Sequence, residues 1–322
     1  VSHLNDITQA SNNSDGLASS GAFLASLNFG AVSRRSPFYL TENKITVQTD
    51  LFKGFTQSIT FRQRQYDQIG GSTNYAYNAG TNFDVKEGDF ASTELIFESR
   101  LAKREKFYYA GNYRRSLGTA KLPILTFRYT KGFSNVLGGG FEYDKINLNI
   151  EQNLGLGILG RMYYSINGSY TPSKLPFPLL EVHVGNRGVF YNFYGYGLMN
   201  FLEFVSDRHL ALNMEHNFQG LLFNRIPLLK KWKIRIRNFF VTNILMGSLS
   251  TANQKLLPNT DIFGNALQQQ TTSLRTDPYV EVGYGISNIF KFFRVTFLHR
   301  ATYLDSPNIR RFGVFFSARF EL

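Results

Sequence analysis

RRFGVFFSARFEL, residues 310–322, closes the chain. It sets Phe312, Val314, Phe316, Ala318, Phe320 and Leu322 on one parity, and Gly313, Ser317, Arg319 and Glu321 on the other. Successive side chains of a strand point to opposite faces. The stretch therefore reads as a strand whose aromatic face stays in register to its last residue. A strand that ends in water usually frays into something polar, and this one does not.

The same period of two recurs along the chain. In ENKITVQTDLFKG, Ile45, Val47 and Leu51 alternate with Thr46, Gln48 and Asp50. After the Lys53-Gly54 turn, Ile59 and Phe61 alternate with Ser58, Thr60, Arg62 and Arg64. Leu95, Phe97 and Leu101 stand against Glu94, Glu98 and Arg100, and Ile146, Leu148 and Ile150 against Lys145, Asn147, Asn149 and Glu151. Leu210, Leu212 and Met214 oppose Asn213 and Glu215, while Val280, Val282 and Tyr284 oppose Glu281 and Gly283. Phe293, Val295 and Phe297 oppose Arg294, Thr296 and Arg300. In the segment from Lys233 the basic residues Lys233, Arg235 and Arg237 alternate with Ile234 and Ile236, then the phase slips near Asn238, which predicts a bulge.

These segments run to roughly ten residues, longer than the five or six of ordinary globular strands. Alternation over about ten residues is the signature of a transmembrane barrel, with the apolar face in lipid and the polar face lining the lumen. Closure leaves no unpaired edge in hydrocarbon. The pattern predicts an all-β, antiparallel, outer-membrane-type transmembrane β-barrel of roughly 12 to 16 strands. A single barrel domain spans 1–322, with a leader segment at 1–20 and long extracellular loops at 171–208 and 248–277. The first of these loops is expected to fold into the lumen. Segment 103–121 is too long for a turn on the opposite side and predicts either an excursion or an extra hairpin.

Composition excludes several classes. The 322 residues contain no cysteine, which removes disulfides and thiol chemistry. Aromatic residues make up 16% while mean hydropathy is only −0.21, and no run approaches a spanning helix. The net charge is +12, but the basic residues are dispersed singly among apolar ones, unlike a nucleic-acid-binding face, so no nucleic-acid partner is expected. No charged n-region with an apolar core opens the chain, so it is expected either to have lost a signal peptide or to start inside a longer precursor.

Three stretches carry a resemblance: PFPLLEVH, LMNFLEFVSDRHLALNMEHNFQGLLFNRIPLLKKWKIR and PYVEVGYGISNIFKFFRVTFLHRATYLD. They resemble the C-terminal region of a Bacteroidetes family of unknown function that joins a carboxypeptidase-regulatory-like domain to an outer-membrane barrel. The resemblance covers most of 40–322 and implies that this chain is the barrel part of a longer protein. More distantly, the arrangement is similar to the superfamily of barrels that assemble or translocate outer-membrane proteins. Those carry a long loop with an Arg-Gly motif tucked into the lumen. GNRGV places Arg187 and Gly188 in the corresponding loop, although its surroundings depart from that motif.

The candidate lumen lining is Arg62, Arg64, Glu94, Glu98, Arg100, Lys145, Glu151, Glu215, Lys233, Arg235, Arg237, Glu281, Arg294, Arg300, Arg319 and Glu321. Both signs are present at similar depth, which favours pairing across a filled lumen over an anion-selective pore. Of five histidines, His216 and His299 fall on apolar parity and His209 begins a strand beside Asp207 and Arg208, reading as a solvated loop end. His183, near Glu181 and Arg187, is the one histidine to watch. No catalytic ordering, cofactor motif or metal spacing emerges; DIFGN and DVKEGD read as solvated outer loops and LGGGFEYD as a hairpin. The expected function is an integral barrel acting as a structural or partner-binding subunit in envelope biogenesis or an outer-membrane complex, not an enzyme. A channel for small, possibly anionic, solutes is the alternative. Expected partners are the lipid bilayer, lipopolysaccharide and other envelope proteins of a Gram-negative outer membrane.

Overall fold

The computed structural model describes residues 2–8, 38–68, 90–110, 113–119, 122–185, 188–200, 202–219, 221, 236–257, 271–306 and 308–318. Its strands, in chain order, begin with β1 (Ser2–Thr8), β2 (Phe38–Phe52), β3 (Phe55–Gln68) and β4 (Phe90–Leu101). Next come β5 (Glu105–Ala110), β6 (Tyr113–Thr119), β7 (Ile124–Ser134), β8 (Gly140–Gly155) and β9 (Arg161–Tyr170). Short strands β10 (Glu181–Val182) and β11 (Phe204–Ser206) precede β12 (Arg208–Asn217) and β13 (Arg237–Ser248). The chain ends with β14 (Thr272–Ser273), β15 (Tyr279–Ile289), β16 (Phe293–Arg300) and β17 (Phe312–Ala318).

One 12-stranded antiparallel sheet takes the order β1-β2-β3-β4-β7-β8-β9-β12-β13-β15-β16-β17. Consecutive long strands pair as neighbours throughout, an up-and-down meander of the kind that closes into a barrel. Its twelve strands lie at the lower end of the 12 to 16 expected, and the first, β1, falls in the segment read from sequence as a leader. The overlong segment after β4 does hold an extra hairpin: β5 and β6 form their own two-stranded sheet and add nothing to the wall. The fold is that of an outer-membrane β-barrel.

Burial shows which face meets which environment, and it is inverted relative to a soluble protein. Ile146 and Leu148 on β8 are 41% and 44% exposed, while their neighbours Lys145, Asn147 and Asn149 are buried. Ile45, Val47, Ile59, Phe127, Leu210 and Met246 are likewise exposed on the outside, and Arg62, Arg64, Glu94, Glu215, Arg294 and Arg300 are buried inside. An apolar exterior of this extent is stable only in lipid, because in water it would be a contiguous hydrophobic patch of aggregating size.

The two ends of the barrel differ. At one end three connections are tight, Lys53-Gly54, residues 156–160 and residues 290–292, while the β4–β7 connection there carries the β5–β6 hairpin. Gly54 has φ of 87°, and a side chain there would meet the Ala102 backbone, so the first turn needs glycine. At the other end sit segments 171–207, 249–278 and 301–311, together with the compact β7–β8 turn, where Asn135 N–H donates to Gly139 O at 2.7 Å. LGGGFEYD thus belongs to a hairpin, as the lack of a helix pattern after its glycines implied.

The bulge expected near Asn238 is absent. β13 pairs without a register shift to β12 through Asn217↔Phe239 and to β15 through Arg237↔Ser287. What changes at Asn238 is the environment of the inner face. Phe239, Val241 and Leu245 keep the inward parity of Arg237 but are apolar, because protein rather than water fills the lumen beside them. Residues 222–235, with Lys233 and Arg235, lie outside the described residues, as do Arg187, Arg319, Glu321, DVKEGD and DIFGN.

Candidate functional site in the lumen

The inward charges of β3 and β4 meet first. Arg62 and Glu94 are cross-strand neighbours, as the ladder places them opposite each other. Arg62 Nε donates to Glu94 Oε2 at 2.8 Å, and Arg64 Nη2 donates to Oε1 at 2.8 Å. The Tyr143 hydroxyl, from β8 two strands away, donates to the same carboxylate. Glu94 is wholly buried, and two guanidinium groups together with a phenol satisfy it. A buried carboxylate with that many donors keeps its charge at a tolerable cost. Toward the tight-turn end the pairs become wetter. Arg128 Nη2 meets Glu98 at 2.6 Å, and Arg100 forks onto Glu105 at 2.8 and 2.6 Å. Asn149 Nδ2 donates to Glu151 at 2.9 Å. Lys145 is 5% exposed and makes no ion pair among the described residues.

The β12–β17 side is organised around the loop between β9 and β12. Glu281, wholly buried on β15, takes no arginine, contrary to the expected pairing. It accepts instead from the backbone N–H groups of Gly197 and Leu198 at 2.9 and 2.7 Å, from Tyr279 Oη at 2.7 Å and from Asn243 Nδ2 at 3.3 Å. The carboxylate therefore grips a loop. Arg300 grips the same turn from β16: it forks onto Glu203 at 3.1 and 2.7 Å and reaches Leu198 O and Tyr303 O. Glu203 in turn accepts from Asn200 N–H at 2.7 Å. Gly197 passes so close to the wall that a β-carbon would collide with Leu298, and Gly285 leaves room for the Phe239 ring. Glycine is required at these contacts by space, not by turn geometry.

Arg294 and Glu215 form a bidentate pair at 2.9 and 2.7 Å, with the guanidinium carbon 3.6 Å above the Phe239 ring. The ring of loop residue Tyr191 lies 5.5 Å from the same guanidinium carbon. A stacked, doubly hydrogen-bonded arginine is what planar guanidinium chemistry favours. Further down, the loop tip places Tyr194 Oη 2.9 Å from Tyr163 Oη of β9, and Phe193 packs on the Tyr163 ring. The loop thus threads the lumen from one end almost to the first residues of β9.

The loops also lock to one another. β10, β11 and β14 form a three-stranded sheet, with β11 and β14 parallel. Asp207 Oδ2 accepts from Ser250 N–H at 2.7 Å and Asn253 Nδ2 at 3.1 Å, and Asn253 Oδ1 accepts from Leu175 N–H. Leu175, Leu179, Leu180, Val182, Leu202 and Val205 bury against Leu40, Tyr66, Phe90 and Tyr143 of the wall. PFPLLEVH is the apolar heart of this plug.

His183, the histidine singled out from sequence, is buried, with Nε2 2.9 Å from Ser206 Oγ. Its ring stands edge-on to His209 at 5.0 Å. His209 is no solvated loop end: it faces the lumen and holds Asn167 Oδ1 at 2.9 Å. Burial and the neighbouring imidazole push the His183 pKa well below its ordinary value, so it is neutral. Ser206 was invisible as its partner because 23 residues separate them. The serine–imidazole contact is buried within the plug, and among the described residues no group of three or more metal-ligating side chains exists.

This lumen, closed by its own loop, can be set against known proteins. A family profile described as "Family of unknown function (DUF5686) C-terminal domain" matches residues 43–255. The chain belongs to this family. The matched span runs from β2 through the plug loop to the one-turn helix Thr251–Gln254, and so takes in the plug loop and the wall strands from β2 to β13. Among solved structures, the chain is similar to "BamA from Haemophilus ducreyi lacking POTRA domains 1-3", with TM-score 0.50 and 13% identity over 88% of this chain. The match takes in 55% of that structure, so the chain spans about half its length. At this identity the likeness is one of fold. No curated protein matches the chain.

Proposed function

We propose that this DUF5686 domain is a plugged outer-membrane barrel that acts as a structural or partner-binding subunit, not as an enzyme and not as an open pore. The observation that carries the reading is the double clamp on the loop turn at 197–203, held by Glu281 from β15 and Arg300 from β16. A conducting lumen has no use for buried charges spent on holding its own obstruction, whereas a scaffold needs a rigid, sealed body. Its surroundings on this reading are the lipid bilayer and lipopolysaccharide of a Gram-negative outer membrane, with the loop end facing outward and the tight turns toward the periplasm. Its partners are other envelope proteins, bound in a task of envelope biogenesis or complex assembly. The source expected from the resemblance is a Bacteroidetes cell, with a further domain ahead of the barrel.

Gentle-detergent extraction from native outer membranes, followed by affinity capture and mass spectrometry, tests the reading. Stable co-purification with other envelope proteins supports it. A clean monomer that gives ohmic conductance steps in planar bilayers replaces it with the channel.

A further inference from the structure

The three tight turns carry apolar side chains where turns in water favour Gly, Asn, Asp and Ser. Phe52 is 60% exposed, Ile158 87% and Phe290 84%. Phe290 is displayed at a conformational cost. It and Lys291 both have positive φ, 50° and 74°, and Phe292 N–H donates to Ile289 O at 3.2 Å across them. Two consecutive left-handed residues in a hairpin turn call for Asn-Gly, and Phe and Lys are strained there. Strain of this kind points to a use for the side chains it presents.

Each of these turns also carries a cation. Lys53 follows Phe52, Lys291 follows Phe290, and Arg161 comes three residues after Ile158. All three are exposed, and none makes an ion pair among the described residues. The acids described at this end are engaged elsewhere, Glu105 by Arg100 and Glu151 by Asn149. Residues 222–235, which join β12 to β13, contain several lysines and arginines and no acid. The loop end differs, since its exposed ions come in both signs, as Arg275 with Asp305 and Lys131 with Glu142 show. In sheet order the three turns join strands two and three, six and seven, and ten and eleven, so an apolar–basic tip recurs at every fourth strand. A protein partner contacts one contiguous patch. Tips spread around the whole rim match a partner that surrounds the barrel, and the lipid leaflet does.

We infer that the turn rim is a docking surface for anionic glycerophospholipid headgroups. Phe52, Ile158 and Phe290 enter the acyl boundary while Lys53, Arg161 and Lys291 hold phosphates, the division of labour of amphipathic elements at membrane interfaces. The choice of glycerophospholipid over lipopolysaccharide rests on the orientation proposed above, with the rim toward the periplasm. The need for an anionic headgroup does not, and it holds whether or not the lumen conducts.

The test uses the single tryptophan, Trp232. In W232F/F290W the only indole sits at the turn apex, and the barrel is reconstituted in vesicles of phosphatidylcholine and phosphatidylglycerol. Acyl-brominated phosphatidylglycerol is expected to quench that indole with a relative binding constant about fivefold above that of acyl-brominated phosphatidylcholine, the factor one nearby cation supplies. K53Q/R161Q/K291Q in the same background is expected to abolish the preference, and high salt to weaken it. Equal quenching by both lipids overturns the headgroup requirement. No quenching by either puts the tip outside the bilayer, overturns the docking and leaves the rim to an acidic protein. W232F/I158W gives the same readout should the first variant fail to fold. Orientation is read separately, by a membrane-impermeant thiol reagent on whole cells carrying Lys53→Cys, which is expected to stay unlabelled. Labelling overturns glycerophospholipid as the source of the phosphate, whatever the vesicles show.

Discussion

Arg294 of β16 and Glu215 of β12 share two hydrogen bonds across the lumen, although β13 and β15 lie between their strands in the wall. Only a strongly curved sheet brings those strands within reach, so the pair staples the curvature of this side of the barrel. Both side chains are under a tenth exposed. Removing one partner leaves the other charged and buried, which costs about 3–5 kcal/mol. Arg294→Leu is expected to lower the unfolding midpoint of the detergent-solubilised barrel by that order. The double variant R294L/E215L is expected to recover most of the loss, as read by urea titration of the circular dichroism signal.

Glu281 does a different job, since its partners are loop amides and not a cation. Glu281→Leu strands two N–H donors at Gly197 and Leu198, each costing about 1–3 kcal/mol when buried and unpaired. The expected result is a folded wall with a released loop: heat-modifiable migration persists while external protease cuts between residues 185 and 200. Release of the loop also predicts that conductance appears in planar bilayers where the parent is silent. A silent, protease-resistant Glu281→Leu barrel refutes the clamp.

The lipid assignment of the outer face makes its own demand. Leu148→Arg puts a charge at mid-strand on the exposed side of β8, where the cost is about 2–4 kcal/mol at the bilayer midplane. It is expected to cut the yield of folded barrel in lipid vesicles sharply. If the face met water, the same change would be near neutral, so refolding yields in vesicles decide the matter directly.

Acid should loosen the plug. Burial and His209 hold His183 neutral in the folded barrel, so its folded pKa lies below the unfolded value of about 6.5. The released loop binds more protons than the docked one below that value. Docking is therefore at full strength above pH 6.5 and weakens as the pH falls toward the folded pKa. Protease sensitivity of the loop is expected to rise between pH 7.5 and 5.5, and His183→Asn is expected to flatten that rise. An unchanged slope in His183→Asn assigns the effect to other groups.

The wall was legible from the alternation because each strand face meets one environment over most of its length, as Ile146 and Leu148 against Asn147 and Asn149 show. It failed at Phe239, Val241, Leu298 and Phe315, apolar residues that face inward. A period-two reading assumes that an inner face meets water. Where the lumen is filled by Leu198 and Tyr191 instead, both faces are apolar and the phase seems to slip. The charge pairs beside one another in the ladder, such as Arg62 with Glu94, followed from strand register. The partnership of Arg300 with Glu203 did not, because 97 residues separate them and one partner lies in a loop. The signal that was present is the run from Phe193 to Leu202, too rich in tyrosine, glycine and leucine for a solvated loop.

The plug has one more consequence, and it concerns order in time. The polar wall groups that clamp the turn at 197–203 lie later in the chain: Glu281 follows Gly197 by 84 residues and Arg300 follows Glu203 by 97. Phe316, which holds Val189 and Tyr191, comes later still. The loop is synthesised before its charged anchors exist, and contacts this distant in sequence close slowly. The clamp on the plug therefore closes only once the C-terminal hairpins are present, and a chain cut short of β15 keeps the apolar seat of the plug but lacks Glu281 and Arg300 to hold its turn.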